Sequence, residues 1–256
     1  MYYRIFHIST IILLCLSLVS CTKETNPNKN ENSKENKYVV IKVNQVATKT
    51  YLEDDGVSPK FQEGDSISVI NGKDGSVKKY AVVINDKQEA TIEVDTSGFS
   101  GKNPTLYYPA DKVAVSKKGS IVYCEAIVPG LQTGKFKDAN ICAANDINFD
   151  SGYAYFMNAV SLLKFDLRGK EKVSTITIET IDVTYPINTS NTPEKTIVND
   201  VPENDICYIA IKAINLIPYF FITVGDKMKT YQNINLNTNT IYTVNLNSEG
   251  WEDVEY

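Results

Sequence analysis

The sequence is poor in histidine and arginine. Its 256 residues include one histidine, His7, in an N-terminal apolar segment that we expect to be removed. A mature chain without imidazole has neither the base of a Ser-His-Asp or Cys-His catalytic site nor a histidine metal ligand. The two arginines, Arg4 and Arg168, and the net charge of -5 disfavour nucleic acid, because phosphate binding needs a basic surface. We therefore expect a protein that is not an enzyme and has no cofactor, metal or nucleic-acid partner.

The sequence also lacks a convincing catalytic motif. Residues 76–79 and 161–164 both match Ser-x-x-Lys, but that chemistry needs the serine and the lysine on one face of a helix. Both segments have the pattern of a strand or a hairpin, which favours a chance match.

Cysteine is scarce after the N-terminal segment. The rest of the chain contains only Cys124, Cys142 and Cys207. No Cys-x-x-Cys or other metal-binding spacing occurs among them. One disulfide with a free thiol and three unpaired thiols are the alternatives, and the pairing stays open. The apolar neighbours of Cys142 and Cys207 favour buried, unreactive thiols.

The first twenty residues have the pattern of an export signal. Arg4 precedes a short apolar run at residues 11–16, which is less than the roughly 20 apolar residues of a transmembrane helix. The following Leu18-Val19-Ser20-Cys21 resembles a bacterial lipobox, and an ordinary signal peptide with a chance cysteine is the alternative. We predict a signal peptide over residues 1–20 and acyl chains such as palmitate on Cys21, which would anchor the protein in the outer membrane.

A polar tether follows the predicted lipid. Residues 22–37 contain no aliphatic or aromatic side chain, so they cannot bury enough apolar surface to offset the entropy of ordering. Residues 21–37 are therefore predicted to be a lipidated, disordered tether that holds the folded part away from the membrane.

From Tyr38 onward the pattern is that of short strands separated by turns, with no long segment of helical period. Asn71-Gly72 and Asp74-Gly75 predict a hairpin between strands at 66–70 and 80–84. Further strands are predicted at 38–43, 90–94, 105–108, 153–156, 161–167, 174–178, 206–211, 219–224 and 241–246, and the asparagine-rich stretch 233–240 is predicted to be another hairpin. We predict an all-β fold of two tandem β-sandwich domains, residues 38–150 and 151–256, with the boundary in a polar passage.

Five segments occur in an order that resembles the fimbrillin-like lipoproteins of Bacteroidetes. They are Thr48-Lys-Thr-Tyr-Leu52, Phe61-Gln-Glu-Gly-Asp-Ser-Ile-Ser-Val-Ile70, Leu106-Tyr-Tyr-Pro-Ala110, Ile127-Val-Pro-Gly-Leu-Gln132 and Phe156-Met-Asn-Ala-Val-Ser-Leu-Leu-Lys-Phe165. The resemblance implies transthyretin-like sandwiches and a subunit of a type V pilus. In that family a trypsin-like protease cuts after a basic residue near the start of the first domain and removes the lipid, the tether and the first strand.

The resemblance implies specific positions in this chain. The cut would fall between Lys49 and Thr50, although the family usually has arginine there and an ordinary solvated lysine is the alternative. An uncleaved chain would keep its lipid, as an anchor subunit does. The removable strand would be residues 38–43, and the donor that fills a neighbour's groove would come from residues 240–256. The residues assigned to these two strands are Tyr38, Val40 and Val43 in the first, and Tyr242, Val244 and Leu246 in the second.

The predicted function is that of a structural or adhesive surface lipoprotein, as a tip, accessory or anchor subunit of a fimbrium whose partners are other pilus subunits and a host or glycan ligand. The alternative is a lipoprotein of the outer membrane that does not polymerise and binds glycans. Sugars stack on exposed aromatic rings, and the chain has 16 tyrosines but one tryptophan, Trp251. A flat row of exposed tyrosines would favour the glycan alternative. Trp251 would either plug a neighbour's groove or cap its own domain.

Overall fold

The computed structural model describes residues 38–45, 60–99, 103–181 and 195–253. Within these ranges the fold is an all-β sandwich, which confirms the predicted fold class, and the helical segments are the short α1 (Phe136–Ala139) and the 3-10 turn Phe149–Ser151. Across the same ranges, no helix has the length and apolar character needed to cross a membrane. The strands, named in chain order, are β1 (Tyr38–Gln45), β2 (Ser66–Ile70), β3 (Val77–Ala81), β4 (Val83–Ile84), β5 (Ala90–Asp95), β6 (Thr105–Tyr108), β7 (Val113–Lys118), β8 (Ile121–Ala126), β9 (Leu131–Gln132), β10 (Cys142–Ala144), β11 (Tyr153–Asn158), β12 (Ser161–Asp166), β13 (Ile176–Ile181), β14 (Lys195–Val198), β15 (Ile206–Ile211), β16 (Ile214–Val224), β17 (Lys227–Leu236), β18 (Thr240–Val244) and β19 (Glu252–Asp253).

Eight strands form the first sheet, in the order β3-β2-β6-β10-β11-β1-β5-β4. Only Val82 separates β3 from β4 in the chain, although these strands lie at opposite ends of that order. The sheet therefore folds back on itself and encloses one core. This N-terminal core consists of Ile41, Val43, Phe61, Ile67, Val69, Val82, Ile92, Val94, Leu106, Tyr108, Cys142, Ala144, Ile147, Ala154 and Phe156.

The predicted hairpin after Ser66 is present. β2 pairs antiparallel with β3, and the register places Ile70 opposite Val77. The amide of Gly75, whose φ is +79°, closes the turn by donating to the Asn71 carbonyl over 2.9 Å. The second strand starts earlier than predicted and ends at Ala81, since the chain bends at the buried Val82.

Two further sheets carry the C-terminal half of the chain. One has the order β15-β12-β18 and the other β19-β17-β16-β13-β14-β9, and they enclose a C-terminal core. This core consists of Leu163, Phe165, Leu167, Ile176, Ile178, Val198, Cys207, Ile209, Ile211, Phe220, Ile222, Val224, Leu236 and Val244. The opposite faces of β12 and β15 also pack in a middle cluster with residues of the first sheet, which explains why successive residues of both strands are buried.

The predicted domain boundary at residue 150 does not separate the strands of one sheet from those of another. β11 follows the predicted boundary at residue 150 but pairs with β10 and β1 of the first sheet. β9 precedes that boundary but pairs with β14 of the six-stranded sheet. The division into two domains stays a prediction, and the sheet pairing groups β11 with the N-terminal strands.

The predicted hairpin at 233–240 is wrong in its pairing, although a turn is present. β17 pairs with β16, whereas β18 pairs with β12 in another sheet. Side chains hold the crossing in place: the Asn237 amide donates to the Tyr242 hydroxyl over 3.0 Å, and the Ser161 hydroxyl donates to the Asn237 carbonyl over 2.8 Å. The second of these bonds joins residues that are distant in the sequence, so local alternation does not reveal the crossing from one sheet to the next.

Gly134 offers a test of how closely the chain packs beside the C-terminal core. Its φ is +76°, and a Cβ there would lie 2.8 Å from the Cys207 sulfur and 3.0 Å from Pro202 Cδ. We expect Gly134→Ala to lower the free energy of unfolding by about 2–4 kcal/mol, because crowding adds to the cost of the left-handed backbone. Gly169 is the control, since its φ is +68° and nothing lies within 4 Å. Urea titration should show a loss of about 1 kcal/mol for Gly169→Ala, and equal losses would contradict the crowding.

Candidate functional site

The first strand lies inside the first sheet and not at its edge. β1 pairs antiparallel with β5, with Ile41 opposite Ile92, and parallel with β11, with Val43 beside Ala154. An additional bond runs from the Lys42 amide to the Gly152 carbonyl over 2.9 Å. Both edges of β1 are therefore hydrogen-bonded to segments that lie far from it in the sequence.

The side chains of β1 alternate between the core and the outer face. Ile41 and Val43 are 0% and 1% exposed, and both belong to the N-terminal core. Of the three residues assigned to the removable strand, only Val43 faces this core, whereas Tyr38 and Val40 are 59% and 58% exposed. Sequence reasoning did not single out Ile41, although the period of two from Val43 would have identified it.

A charge pair fastens the outer side of β1. Lys42 Nζ lies 2.8 Å from Glu89 Oε1 and 5.6 Å from the centroid of the Tyr153 ring. The hydrogen bond with Glu89 raises the pKa of Lys42, and the same bond lowers the pKa of Glu89. Because both side chains are exposed, the pair orients the strand and contributes little stability.

An amide pair fastens the last described residue of β1. Gln45 Nε2 donates to Asn140 Oδ1 over 2.6 Å, and Asn140 Nδ2 donates back to Gln45 Oε1 over 3.1 Å. The predicted cleavage residues Lys49 and Thr50 follow four and five positions later in the sequence. They lie outside the described residues, as does the predicted lipidation site Cys21.

The predicted donor segment is paired within its own chain. Tyr242 and Val244 lie in β18, which runs parallel to β12 along one edge of the three-stranded sheet. Val244 is part of the C-terminal core, and Tyr242 and Leu246 pack against that core. The structure thus places the donor segment and β1 in different sheets.

Trp251 caps its own chain. Its ring packs against the C-terminal core, and its indole Nε1 donates to the Asn245 carbonyl over 3.3 Å. Of the two roles considered for this residue, the structure shows the cap.

An exposed aromatic strip runs along the outer face of β11. Tyr153, Tyr155 and Met157, here called the outer strip, are 44%, 58% and 49% exposed, while the alternate residues Ala154 and Phe156 are fully buried. The rings of Tyr153 and Tyr155 are stacked with centroids 6.3 Å apart and an interplanar angle of 8°. The outer strip is an exposed aromatic surface that the sequence analysis did not identify, although the alternation of tyrosine with apolar residues along this strand was its signal.

The outer strip ends at a cavity of about 400 Å³. Met157 lines this cavity together with Tyr107 and Ala143, and Lys212 and Glu125 form an ion pair in its wall. Burial raises the pKa of Tyr107 to about 12, and its hydroxyl donates to the Cys124 carbonyl over 3.4 Å. Across the parts of the chain that the structure describes, no cluster of side chains suits a metal ion.

The three cysteines of the folded part are unpaired, and Cys142 and Cys207 are buried, as predicted. Burial raises the pKa of all three thiols, that of Cys207 to about 12. Only the thiolate attacks alkylating reagents, so a raised pKa and burial both suppress reaction. The disulfide alternative is therefore absent from this structure.

Iodoacetamide labelling at pH 8 should separate the three thiols. We expect Cys124, which is half-buried, to react slowly and Cys142 and Cys207 to react only after unfolding in urea, as followed by peptide mass spectrometry. The thiol pKa values are higher in the folded chain than in the unfolded chain, so these groups contribute stability below about pH 9. The contribution of Cys207 should be lost as the pH rises through about 12. Rapid labelling of Cys207 in the folded chain would contradict its burial.

No protein-family model matches the chain, and no curated protein matches it. The chain is similar to a solved structure from Bacteroides uniformis ATCC 8492, described as a "putative cell adhesion protein", with 15% identity, a TM-score of 0.45, and coverage of 84% of this chain and 96% of that chain. A second, with the same description, is from Bacteroides ovatus ATCC 8483, with 12% identity, a TM-score of 0.43, and coverage of 84% and 95%. The likeness is distant, so the function proposed below rests on the strand pairing and surface of this chain.

Proposed function

We propose that the chain is a non-catalytic, adhesive surface lipoprotein and a fimbrillin-like subunit of a type V pilus, which assembles by exchange of its first strand. The observation that supports this proposal is the place of β1. An N-terminal strand that is paired on both edges occupies the middle of a sheet, and a basic residue, Lys49, follows shortly after it.

Removal of β1 would leave an apolar groove between two unpaired strand edges. The edges of β5 and β11 would lose their backbone partners, and apolar side chains including Ile92, Val94 and Phe156 would lose their cover. Unpaired edges beside an apolar groove favour the addition of another strand, since main-chain bonds supply affinity and alternate side chains fill pockets.

The segment that follows β17 has the pattern needed to fill such a groove. Tyr242, Val244 and Leu246 alternate in the sequence and cover the C-terminal core of their own chain. Donation requires β18 to leave β12, the one strand with which it pairs among the described residues. The two-residue β19 farther along the segment would also have to leave β17. These pairings are fewer than those of an inner strand, so the C-terminal segment is a less costly donor.

Cleavage determines the place of the subunit in a fimbrium. A chain cut after Lys49 loses the predicted lipid on Cys21 together with β1 and joins the fibre. An uncut chain keeps both and remains in the outer membrane as an anchor. The lysine at the position where the resemblance implies arginine supports the anchor role for the uncut form.

The test compares the full chain, purified from its own cells in detergent, before and after mild trypsin. Intact mass and N-terminal sequencing would locate the first residue, and a non-denaturing gel would report ladders. We expect a product that starts at Thr50 and forms ladders. Lys49→Ala should abolish both, whereas Lys60→Ala, which removes an exposed lysine nearby, should change neither.

A synthetic peptide of residues 38–45 provides the second arm. It should suppress the ladders when added during cleavage, because it restores both pairings of β1. The same peptide with Asp in place of Ile41 should have no effect. A cut chain that stays monomeric without the peptide would exclude strand exchange.

A further inference from the structure

The cavity beside β11 has a floor built by strand register. Ala143 of β10 lies opposite Tyr107 of β6 on one side and opposite Met157 of β11 on the other. All three side chains line the cavity, so its floor is the outer face of the first sheet. Because Tyr153 and Tyr155 precede Met157 on the same face, the floor continues without a break into the exposed part of the outer strip.

The walls of the cavity are polar but nearly neutral. Glu125 from β8 pairs with Lys212, which follows β15, so the two formal charges compensate each other. The remaining polar wall residues are uncharged amides and a hydroxyl, namely Asn145, Asn158, Thr238 and Asn239. The carbonyl oxygens of the Asn158 and Asn239 side chains already accept bonds within the protein, from the Cys142 thiol and the Asn158 backbone amide, whereas Asn145 is exposed. The site attracts neither anions nor cations strongly and keeps uncharged donors, which suits a neutral, hydroxyl-rich ligand.

The outer strip supplies a complementary apolar platform. The Tyr153 and Tyr155 rings are close to parallel, at 8°, with centroids 6.3 Å apart, and both side chains are about half exposed. The axial C–H faces of pyranose rings are apolar and flat, whereas their edges carry hydroxyls. Successive rings of an extended sugar chain can therefore stack on the tyrosines while the next sugar enters the polar cavity.

We infer that the outer strip and the adjoining cavity form a binding site for a neutral, extended oligosaccharide of pyranose units. The volume of about 400 Å³ is at the lower end of the range for small-molecule sites, which matches one or two sugar units. The residues of this site lie outside β1 and the donor segment, but Tyr153 and Tyr155 lie beside Lys42 and Asn44 of β1, so the site is defined for the uncleaved chain.

The test is calorimetric titration of the full, uncleaved chain, in a detergent without a sugar headgroup, with three β-1,4-linked tetrasaccharides of glucose, xylose and N-acetylglucosamine. We expect at least one of them to bind and Tyr155→Ala to weaken it about tenfold, with a similar loss for Tyr153→Ala. Asn145→Ala should weaken binding as well, because it removes an exposed wall residue of the cavity.

Tyr219→Ala is the matched control. Tyr219 is 41% exposed and stacks on Phe221 with centroids 6.4 Å apart, but it lies in β16 of another sheet and outside the lining of this cavity. This variant should keep full affinity. Binding of none of the three sugars would overturn the site, and so would an equal loss for Tyr155→Ala and Tyr219→Ala.

Sedimentation of the same variants separates a sugar site from a protein contact. We expect Tyr155→Ala to leave the association state unchanged. A variant that loses self-association and retains sugar binding would show that the strip contacts another copy, and would overturn the inference.

Discussion

Replacing Ile41 with aspartate is expected to lower the free energy of unfolding by more than about 4 kcal/mol. Ile41 is 0% exposed and lies in the N-terminal core, opposite Ile92 and between the two neighbours of β1. A carboxylate there would lose its hydration, and the isoleucine side chain that β1 contributes to the core would be gone. Urea unfolding of the full, uncleaved chain, followed by the tyrosine and tryptophan signals, measures the change.

Val40→Asp is the matched control for this substitution. Val40 precedes Ile41 in the same strand and is 58% exposed, so the same new charge there remains in water. The new carboxylate would lie opposite Glu93 of β5, and like charges that face each other across a strand pair are destabilising, so we expect a loss of no more than about 1 kcal/mol. If both variants lost the same stability, β1 would not occupy the middle of the sheet, and the strand-exchange proposal would lose the observation that supports it.

The size of the Ile41 effect bears directly on exchange. A strand that contributes several kcal/mol to its sheet does not leave spontaneously, so its removal requires a covalent cut. Under the proposed exchange, the groove left by the cut would be unstable in water, and this instability would drive the capture of another strand. A weakly held β1 would instead exchange without proteolysis, and uncut chains would form ladders.

The positions of several strands followed from the sequence alone. The boundaries of β6 and β15 agree with their predicted ranges, and the hairpin of β2 and β3 followed from its Asn-Gly and Asp-Gly dipeptides. These features depend on residues within a few positions of one another. The hairpin of β7 and β8 was missed, because its short apolar alternation ends in exposed residues at the turn.

The partners of the strands did not follow from the sequence. β1 and β18 each run parallel to a strand that is distant in the chain, and neither contact leaves a local pattern. The same limit applies to the cavity, whose floor depends on the register of Tyr107, Ala143 and Met157 in three strands. The composition showed that the chain has many tyrosines. Only the strand pairing shows that two of them, Tyr153 and Tyr155, are stacked on one face of β11 beside the polar cavity.

Phe156→Ala is expected to lower the free energy of unfolding by about 3–5 kcal/mol. Phe156 is 0% exposed, and its ring meets that of Phe61 edge to face, with centroids 5.1 Å apart, in the N-terminal core. Truncation would remove this contact and leave a cavity between the two halves of the first sheet. Differential scanning calorimetry of the full chain should show a corresponding drop in the melting temperature.

The adjacent Tyr155→Ala variant provides the contrast, since Tyr155 is 58% exposed on the opposite face of the same strand. We expect it to change the free energy of unfolding by no more than about 0.5 kcal/mol while it weakens sugar binding.

Phe156→Ala should retain sugar affinity in the folded fraction but form weaker ladders after cleavage, because Phe156 lies beside β1 in the groove that an incoming strand must cover. Two neighbouring residues of β11 would then separate assembly from ligand binding. A loss of sugar binding in the folded fraction of Phe156→Ala, or a stability loss in Tyr155→Ala as large as that in Phe156→Ala, would show that the two faces do not act independently.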